Sequence, residues 1–387
     1  MSEWKEYRLG DLCYKVCSGG TPKSTCSSYY EGGTIPWLNT KEINYNRIYD
    51  TESHITEDGL NNSSAKWIDP NAVVVAMYGA TAGRVAIAKV PMTTNQACCN
   101  LMIDSSKADY NYIYYYLSNS YKHLISMANG AAQQNLNAQI IKDLFISLPS
   151  LDEQRAIASI LSSLDSKIEN NHKICANLEA QAQALFKHWF IDFAPFKDGK
   201  FVESELGMIP EGWRVNTIDD FCRVFTGKKN TNQAENNGNY PFFSCAPNPL
   251  KSNDYLYDGY AIIIAGNGSY TGRTQLYNGK FDLYQRTYAC VAKERSFDKK
   301  IVFFYLLMKQ TFEREKMGGT RGSSIPFIVM NDIAKQYFCY NEYVVTEFCD
   351  IVRPILDMTQ ALRIESSRLS ALRETLLPKL MSGAIKV

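Results

Sequence analysis

Residues 151–191 read LDEQRAIASILSSLDSKIENNHKICANLEAQAQALFKHWFI, and the pattern of this segment determines the predicted architecture. Steps of four and three residues from Ile157 meet apolar side chains at every position except Asn171. A stripe of about five such heptads is typical of a coiled-coil seam. The segment contains neither Gly nor Pro, and Ser150 followed by Glu153 predicts a capping box at its start. One long helix is therefore expected here.

A second heptad stripe starts at Ile351 and is interrupted only by Glu365. Pro354 is expected in the first turn or so of this helix, where proline is best tolerated. We predict that the two helices pair antiparallel, each about 50 Å long. The alternative is that each is an amphipathic helix packed on a globular core. The expected seam residues are Leu161, Leu164, Ile168, Leu178, Leu185, Ile355, Leu362, Leu369 and Leu372.

The chain resembles one unit written twice. The first copy has Gly79-Ala-Thr-Ala-Gly83-Arg84, and the second has Gly268-Ser-Tyr-Thr-Gly272-Arg273. Three further matches follow the same offset: Gln96 with Gln285, Gly130 with Gly319, and Asp143-Leu144 with Asp332-Ile333. The collinearity of these matches predicts a pseudo-two-fold internal repeat.

Each copy begins with short apolar runs between turn residues, which indicate buried strands, and ends in a long helix. The fold class is therefore α+β, with mixed or antiparallel sheets in two globular domains and an antiparallel coiled coil. The connector between the copies is rich in Pro, Gly and aromatic residues, so we expect it to be packed. The predicted segments are a first domain (1–150), a helix (151–191), the connector (192–211), a second domain (212–344) and a second helix (345–387).

Charge is unevenly distributed along the chain. Lys and Arg number 41 and Asp and Glu number 40, which argues against indiscriminate coating of nucleic acid. Residues 212–344 nevertheless hold 17 basic and 12 acidic side chains, whereas residues 192–211 hold 2 and 5. If the protein binds nucleic acid, the second domain should contribute more of the phosphate contacts.

Several protein classes are not indicated by the sequence. The 11 cysteines include no C-x-x-C pair, which disfavours a disulfide framework or a zinc ribbon, and no metal site is expected. No apolar run approaches a membrane span and the N-terminus has no signal-peptide core, so a cytoplasmic protein is expected. Neither a phosphate-binding loop nor the Asp/Asn/Ser-Pro-Pro-Tyr/Phe motif of amino-methyltransferases occurs, and no catalytic residue is predicted.

Several motifs together resemble the specificity (S) subunit of type I restriction–modification systems. They are SGGTPK at 18–23, LPSLDEQR at 148–155, LFKHWFIDF at 185–193, SELGMIPEGW at 204–213 and LLPKLMSG at 376–383. The resemblance covers nearly the whole chain. It implies two target-recognition domains that each read half of a split DNA sequence, and two helical regions that act as a ruler.

The same resemblance implies the partners and cofactors. Double-stranded DNA and two methyltransferase (M) subunits are expected to bind, joined by restriction and translocase (R) subunits. S-adenosylmethionine, ATP and Mg²⁺ are then expected on the partner subunits, with no cofactor and no catalytic activity in this chain. The alternative is a coiled-coil adaptor that docks protein partners without reading DNA sequence.

Candidate DNA contacts lie in Gly-containing segments with side chains that can bind phosphate or base edges. In the first domain they are Ser18, Gly19, Gly20, Thr21, Lys23, Thr40, Lys41, Tyr78, Thr81, Arg84, Gln133, Gln134 and Asn135. In the second they are Thr226, Lys228, Lys229, Asn267, Ser269, Tyr270, Thr271, Arg273, Arg286, Arg321 and Ser323. Each is alternatively a polar surface turn. The repeated placement of Arg84 and Arg273 suits either DNA contact or a shared requirement of the fold.

Overall fold

A computed structural model describes residues 4–129, 135–235, 237–312 and 327–387. The chain divides into two units. The first unit is Met1–Asn170 with Ser366–Val387, and the second is Asn171–Glu365. Both contain sheets and helices, which confirms the α+β class.

The first unit holds the first eleven strands, four whole helices, the first half of one long helix and the end of another. The strands are β1 (Lys5–Arg8), β2 (Cys13–Ser18), β3 (Ile35–Leu38), β4 (Asn46–Ile48), β5 (His54–Ile55), β6 (Trp67–Ile68), β7 (Val73–Ala76), β8 (Val85–Ala88), β9 (Met92–Thr94), β10 (Cys98–Ile103) and β11 (Phe145–Leu148). The helices are α1 (Glu57–Asn61), α2 (Tyr110–Asn119), α3 (Tyr121–Asn129), α4 (Ala138–Lys142) and the first half of α5 (Leu151–Phe190).

Two mixed sheets form the body of the first unit. One has the strand order β2-β10-β7-β8-β4 and the other the order β5-β3-β9-β6, while β1 pairs with β11. Successive strand residues point to opposite faces. Val73 and Val75 therefore join a core with α2 and the long helices, and Val74 and Ala76 join a second core with Met92. Burial on both faces explains the uninterrupted apolar run of β7.

The second unit holds the remaining elements. Its strands are β12 (Phe201–Ser204), β13 (Gly207–Pro210), β14 (Arg214–Thr217), β15 (Cys222–Thr226), β16 (Tyr240–Phe243), β17 (Leu250–Ser252), β18 (Tyr257–Ala265), β19 (Thr274–Leu283), β20 (Thr287–Ala292) and β21 (Tyr337–Tyr340). Its helices are α6 (Ile218–Phe221), α7 (Ile301–Phe312), α8 (Met330–Ala334), the second half of α5 and most of α9 (Glu342–Met381).

The second unit repeats the topology of the first in one larger sheet of order β15-β20-β18-β19-β16-β17. The long strand β19 takes the places of both β8 and β9, because it pairs antiparallel with β18 and parallel with β16. The connector packs through part of its length: Phe193 and Phe196 contact Trp213, and Ile209 of β13 lies in the core with Phe190 of α5. Most side chains of the β12–β13 hairpin are exposed.

The two heptad segments each form one helix, and the helices pair antiparallel within each unit. In the first unit Arg373 of α9 contacts Asp165 of α5, and Leu380 shares a core with Leu161. In the second unit Asn171 contacts Glu365. At the start of α5, the Ser150 side chain accepts a hydrogen bond from the Glu153 amide at 3.3 Å, so the predicted N-cap is confirmed.

One of the two expected seam lines of α9, the line through Ile351, Met358 and Leu372, is wrong by one residue. The buried line recurs every seven residues at Val345, Val352, Thr359 and Ser366, passes through the partly buried Arg373 and ends at the buried Leu380. Leu372, expected in the seam, is 47% exposed. The buried line contains small polar side chains, so the apolar stripe marks a different face of the helix. The seam residues Leu161 and Ile168 of α5 are buried, whereas Leu164, Leu178, Leu185, Ile355, Leu362 and Leu369 are partly buried.

Pro354 does not lie in the first turn of α9. Asn341 caps the helix, accepting hydrogen bonds from the amides of Tyr343 and Val344 at 3.1 and 3.2 Å. The helix therefore starts at Glu342, and Pro354 is an interior residue with an exposed side chain.

The internal repeat is confirmed within the units, with one change of offset. Leu9 donates its amide to the Leu144 carbonyl, and Ile218 does the same to Gln336. Leu144 therefore corresponds to Gln336, which is 192 positions later and not 189. The offset changes because the second copy has three extra residues between 286 and 328. The expected match of Asp143-Leu144 with Asp332-Ile333 is therefore corrected.

Candidate nucleic-acid interface

Five loops gather beside the sheets in each unit, and we name them A to E in chain order. Loops A to D each follow a strand, and loop E precedes a short helix. In the first unit they are residues 19–23, 39–45, 77–84, 95–97 and 135–137. In the second unit they are residues 227–230, 244–249, 266–273, 284–286 and 327–329.

Backbone hydrogen bonds hold the loops of the first unit together. The Gly20 amide in loop A donates to the Thr94 carbonyl, just before loop D, at 2.9 Å. Met77 in loop C donates to Ala97 in loop D at 2.8 Å, and Leu136 in loop E donates to Met77 at 3.0 Å. Loop C therefore lies between loops D and E.

The second unit uses the same arrangement. Gly266 in loop C donates its amide to Arg286 in loop D at 2.9 Å, and Ile328 in loop E donates to Gly266 at 2.8 Å. Loops A and D are joined by the Gln285 amide, which donates to the Lys229 carbonyl at 3.0 Å. The same five-loop cluster is thus built twice from different side chains.

The repeated Gly-Arg motif forms the turn of loop C. Gly83 donates its amide to Ala76 at 2.8 Å, and Gly272 donates to Ala265 at 2.9 Å. Both glycines have a positive φ, 78° and 84°, which favours glycine. The geometry of this turn explains why glycine recurs at the same place in both copies.

The arginines of this motif brace loop B. Arg84 donates from Nη1 to the Asn44 side-chain oxygen at 2.8 Å. Arg273 donates from Nη1 to the Pro247 carbonyl at 2.7 Å and from Nη2 to the Ala246 carbonyl. Burial lowers the pKa of Arg273 from its usual value. These contacts within the protein favour a structural role for the two arginines over a role in DNA contact.

Gly19 and Gly20 are buried, so the presence of glycine at these positions is not explained by close approach of the backbone to a phosphate. A Cβ on Gly19 would lie 1.9 Å from the Thr94 carbonyl oxygen, and a Cβ on Gly227 would lie 1.7 Å from that of Leu283. These glycines let loop A pass directly over the strand beneath it. The expectation of a phosphate contact at Gly19 and Gly20 is corrected to a packing role.

Several other candidates are occupied by contacts inside the protein. The Lys229 ammonium lies 2.7 Å from Asp282, 2.9 Å from Ser252 and 3.3 Å from Asp254. The hydrogen bond to Asp282 raises the pKa of Lys229. Three candidate hydroxyl groups donate to main-chain carbonyls, those of Thr81, Thr226 and Thr271. We infer that these side chains shape the loops.

The remaining candidates divide by exposure. Those with exposed side chains are Thr21, Lys23, Lys41, Asn135, Lys228, Ser269, Tyr270 and Arg286. Those with partly buried side chains are Ser18, Thr40, Tyr78 and Asn267. Four candidates lie outside the described residues: Gln133, Gln134, Arg321 and Ser323.

Loop D adds a pair that the sequence-based candidates did not include. Gln96 and Gln285 are both exposed and occupy equivalent positions in this loop. Gln285 donates to Asn230 of loop A at 2.7 Å, and the side chain of Gln96 lies against Thr21 of loop A. Their match in the internal repeat was the available signal. A glutamine amide can pair with the adenine edge in the major groove.

The described residues contain no group of three or more His, Cys, Asp or Glu placed to hold a metal ion. All 11 cysteines are free thiols. Burial raises the pKa of Cys13 and Cys349 to about 12, so these two thiols stay protonated. No helix in the described part of the chain has the length and apolar character needed to cross a membrane.

A sequence model for the type I restriction modification DNA specificity domain matches residues 1–180 and 210–337. The chain belongs to this family. The two matched segments correspond to the two copies of the repeat, and each contains one complete set of loops A to E.

Curated relatives in the type I restriction modification DNA specificity family agree with this assignment. The MjaIX specificity subunit of a type I restriction enzyme from Methanocaldococcus jannaschii is 30% identical over 411 residues, covering 100% of this chain and 94% of the relative. The EcoDI specificity subunit from Escherichia coli is 36% identical over 127 residues, 33% of this chain and 27% of that protein.

A solved structure from the family shows the same fold. The crystal structure of a type I restriction–modification S subunit from M. genitalium superimposes with a TM-score of 0.62 at 18% identity. The alignment covers 97% of this chain and 96% of that one.

Proposed function

We propose that this chain is the DNA-recognition subunit of a type I restriction–modification complex, and that each unit reads one half of a two-part target. The observation that carries the proposal is the five-loop cluster of both units, in which equivalent backbone hydrogen bonds join loop C to loops D and E. Conserving the scaffold while varying the exposed side chains allows two different half-sites to be read with one architecture.

The exposed side chains of the loops are the proposed DNA contacts. Lys23 and Lys228 extend from loop A of each unit, and Arg286 extends from loop D of the second unit. Lys41 forms an exposed ion pair with Glu52, a weak interaction that a DNA phosphate can replace. Gln96 and Gln285 are proposed to read bases.

We propose that two methyltransferase subunits bind the outward faces of α5 and α9, joined by restriction and translocase subunits. The exposed apolar side chains of α9, Ile351 and Met358 among them, support a protein-binding role for this face. The partners are proposed to bind S-adenosylmethionine, ATP and Mg²⁺ and to methylate adenine, with this chain non-catalytic and the complex acting in the cytoplasm.

A binding competition tests the proposal against the coiled-coil adaptor alternative. The chain, purified with its methyltransferase partner, is bound to the split sequence that the partner methylates in cells. Competitor duplexes carry that sequence, either half-site alone, or a scrambled sequence of the same composition. We expect at least about 10³-fold preference for the intact target and an affinity that falls with salt. Equal competition by the scrambled duplex would support the adaptor.

A further inference from the structure

A buried carboxylate joins three elements in the first unit. Asp165 of α5 is 7% exposed. Its Oδ2 accepts a hydrogen bond from the Tyr115 hydroxyl of α2 at 2.5 Å, and its Oδ1 accepts one from Arg373 Nη1 of α9 at 2.7 Å. The Asp165 side chain therefore connects α5 to both α2 and α9.

The second unit has a comparable junction at Glu179, also on α5. Its Oε2 accepts from Lys309 Nζ of α7 at 2.9 Å, and its Oε1 accepts from Arg363 of α9. Asp165 and Glu179 are separated by two heptads and therefore lie on the same face of α5. Asp165 and Glu179 are not equivalent residues of the internal repeat, because both lie on α5. Each unit therefore builds a junction between a carboxylate and an arginine of α9 from residues that the repeat does not relate.

A third polar contact lies in the helix pair of the second unit. Asn171, which is fully buried, donates from Nδ2 to Glu365 Oε2 at 2.8 Å. Sliding α9 by one heptad would bring Met358 or Leu372 opposite Asn171. The buried Asn171 amide would then face an apolar side chain and lose its hydrogen bond. A polar group at a seam position commonly fixes the register of a coiled coil in this way.

The same slip would break both carboxylate junctions. Asp165 would face Ser366 or Leu380 in place of Arg373, and Glu179 would face Leu356 or Ser370 in place of Arg363. None of these side chains is a cation. Glu179 would keep Lys309 of α7, whereas the buried Asp165 would keep only the Tyr115 hydroxyl, and a buried carboxylate without a cation is strongly unfavourable. Apolar seam positions recur at each heptad and would tolerate such a slip, so the polar contacts discriminate against it.

We propose that Asp165, Asn171 and Glu179 are positioning residues that lock the register of α9 on α5 and thereby restrict the target to one spacer length between its half-sites. This inference rests on the proposed function, because the spacer is a property of the DNA target. The lock acts by excluding other registers and adds little to stability, since well-packed apolar residues can replace buried ion pairs without loss.

The test compares the spacer lengths that three forms of the chain direct. An apolar variant carries D165L, R373L, N171L, E365L, E179L and R363L, with Y115F and K309M to remove the orphaned polar groups. A milder variant carries Asp165→Asn alone. The control carries Asp152→Asn with Arg155→Gln, which removes an exposed ion pair of the same helix with N···O 3.7 Å. Each is expressed with its methyltransferase partner, and genomic adenine methylation is sequenced at single-molecule level.

We expect the wild-type chain and the control to direct methylation at one spacer length. The apolar variant should add further spacer lengths at on the order of a tenth of the methylated sites, and Asp165→Asn should add fewer. A melting curve of each purified chain establishes that it is folded, and Asp165→Asn serves as the test if the apolar variant is not.

A folded variant that keeps the single wild-type spacer, at any level of methylation, or that methylates no site, overturns the register lock. If the wild-type chain itself directs no split motif, the proposed function is the part that fails.

Discussion

Arg273 stabilises the interior of the loop cluster in the second unit. Its guanidinium holds two carbonyl groups of loop B, and Arg84 holds the equivalent loop through Asn44. The motif was correctly located from the repeat. Whether its arginine touches DNA or protein depends on the path of loop B, which is 26 residues from Arg273 and 40 from Arg84 in sequence. No local pattern encodes that path.

Replacing Arg273 by alanine should change recognition by the second unit alone. Loss of the hydrogen bonds to Pro247 and Ala246 frees loop B, and a lost charged hydrogen bond costs about 1.5–3 kcal/mol of unfolding free energy. We expect relaxed specificity at one half-site, read from the methylated motif, with the other half-site unchanged. Arg295→Ala, which removes an exposed cation of the second unit outside the five loops, is the control and should leave both half-sites unchanged. Equal loss at both half-sites would contradict the assignment.

Loop A should tolerate no side chain at its first glycine. Gly227→Ala places a Cβ against the Leu283 carbonyl, so loop A or the strand must move. Overpacking of this kind typically costs about 1–3 kcal/mol. Urea denaturation should show a lower midpoint for Gly227→Ala than for Ser24→Ala, an exposed control. Equal midpoints would show that loop A has room there.

At the scale of the helices, the sequence predicted which segments are helical but not which face of α9 is buried. Ile351, Met358 and Leu372 form a clear apolar stripe, yet each is about half exposed. The buried line one residue further along includes Thr359 and Ser366. Heptad patterns report apolar faces, and α9 has one face against α5 and another left exposed, so periodicity alone cannot assign them.

The observed register of α9 predicts that two leucine-to-alanine substitutions in this helix differ strongly in their effect on stability. Leu356→Ala removes a side chain from the core of the second unit and should cost about 2–5 kcal/mol. Leu372→Ala removes a half-exposed side chain and should change stability by less than about 0.5 kcal/mol. Denaturant titrations of the purified variants measure both values. A larger loss for Leu372→Ala would restore the original register.

Arg373 should matter more than its partial exposure suggests. Arg373→Ala leaves the buried Asp165 carboxylate with only the Tyr115 hydroxyl, and breaking a buried ion pair in this way costs about 3–5 kcal/mol. The double change of Arg373→Leu with Asp165→Leu should recover most of that loss. Thermal unfolding measures both proteins. An additive double variant would show that the two residues are not coupled.

For the whole molecule, the near-neutral charge conceals an asymmetry that bears on function. The second domain is basic and the connector is acidic, so attraction to phosphate is concentrated in one recognition domain.

The duplication and the helical segments were readable from the sequence because they extend over many residues. The five-loop cluster was not, because it depends on backbone contacts between residues far apart in the sequence, such as the hydrogen bond from Gly20 to Thr94.

If α5 and α9 set the spacing between the half-sites, their length should control the target. Deleting one matched heptad from both helices shortens each by about 10 Å, since each residue adds 1.5 Å. We expect a methylated motif with the same half-sites and a shorter spacer. Matched substitution of one exposed heptad position in each helix, without deletion, is the control. An unchanged spacer would show that the helices do not measure it.

The most direct test of the central claim is methylome sequencing of cells that express the methyltransferase partner with and without this chain. The account predicts adenine methylation at one split motif that is present with the chain and absent without it. Methylation that lacks a split motif, or a split motif that persists after deletion of the chain, would contradict it.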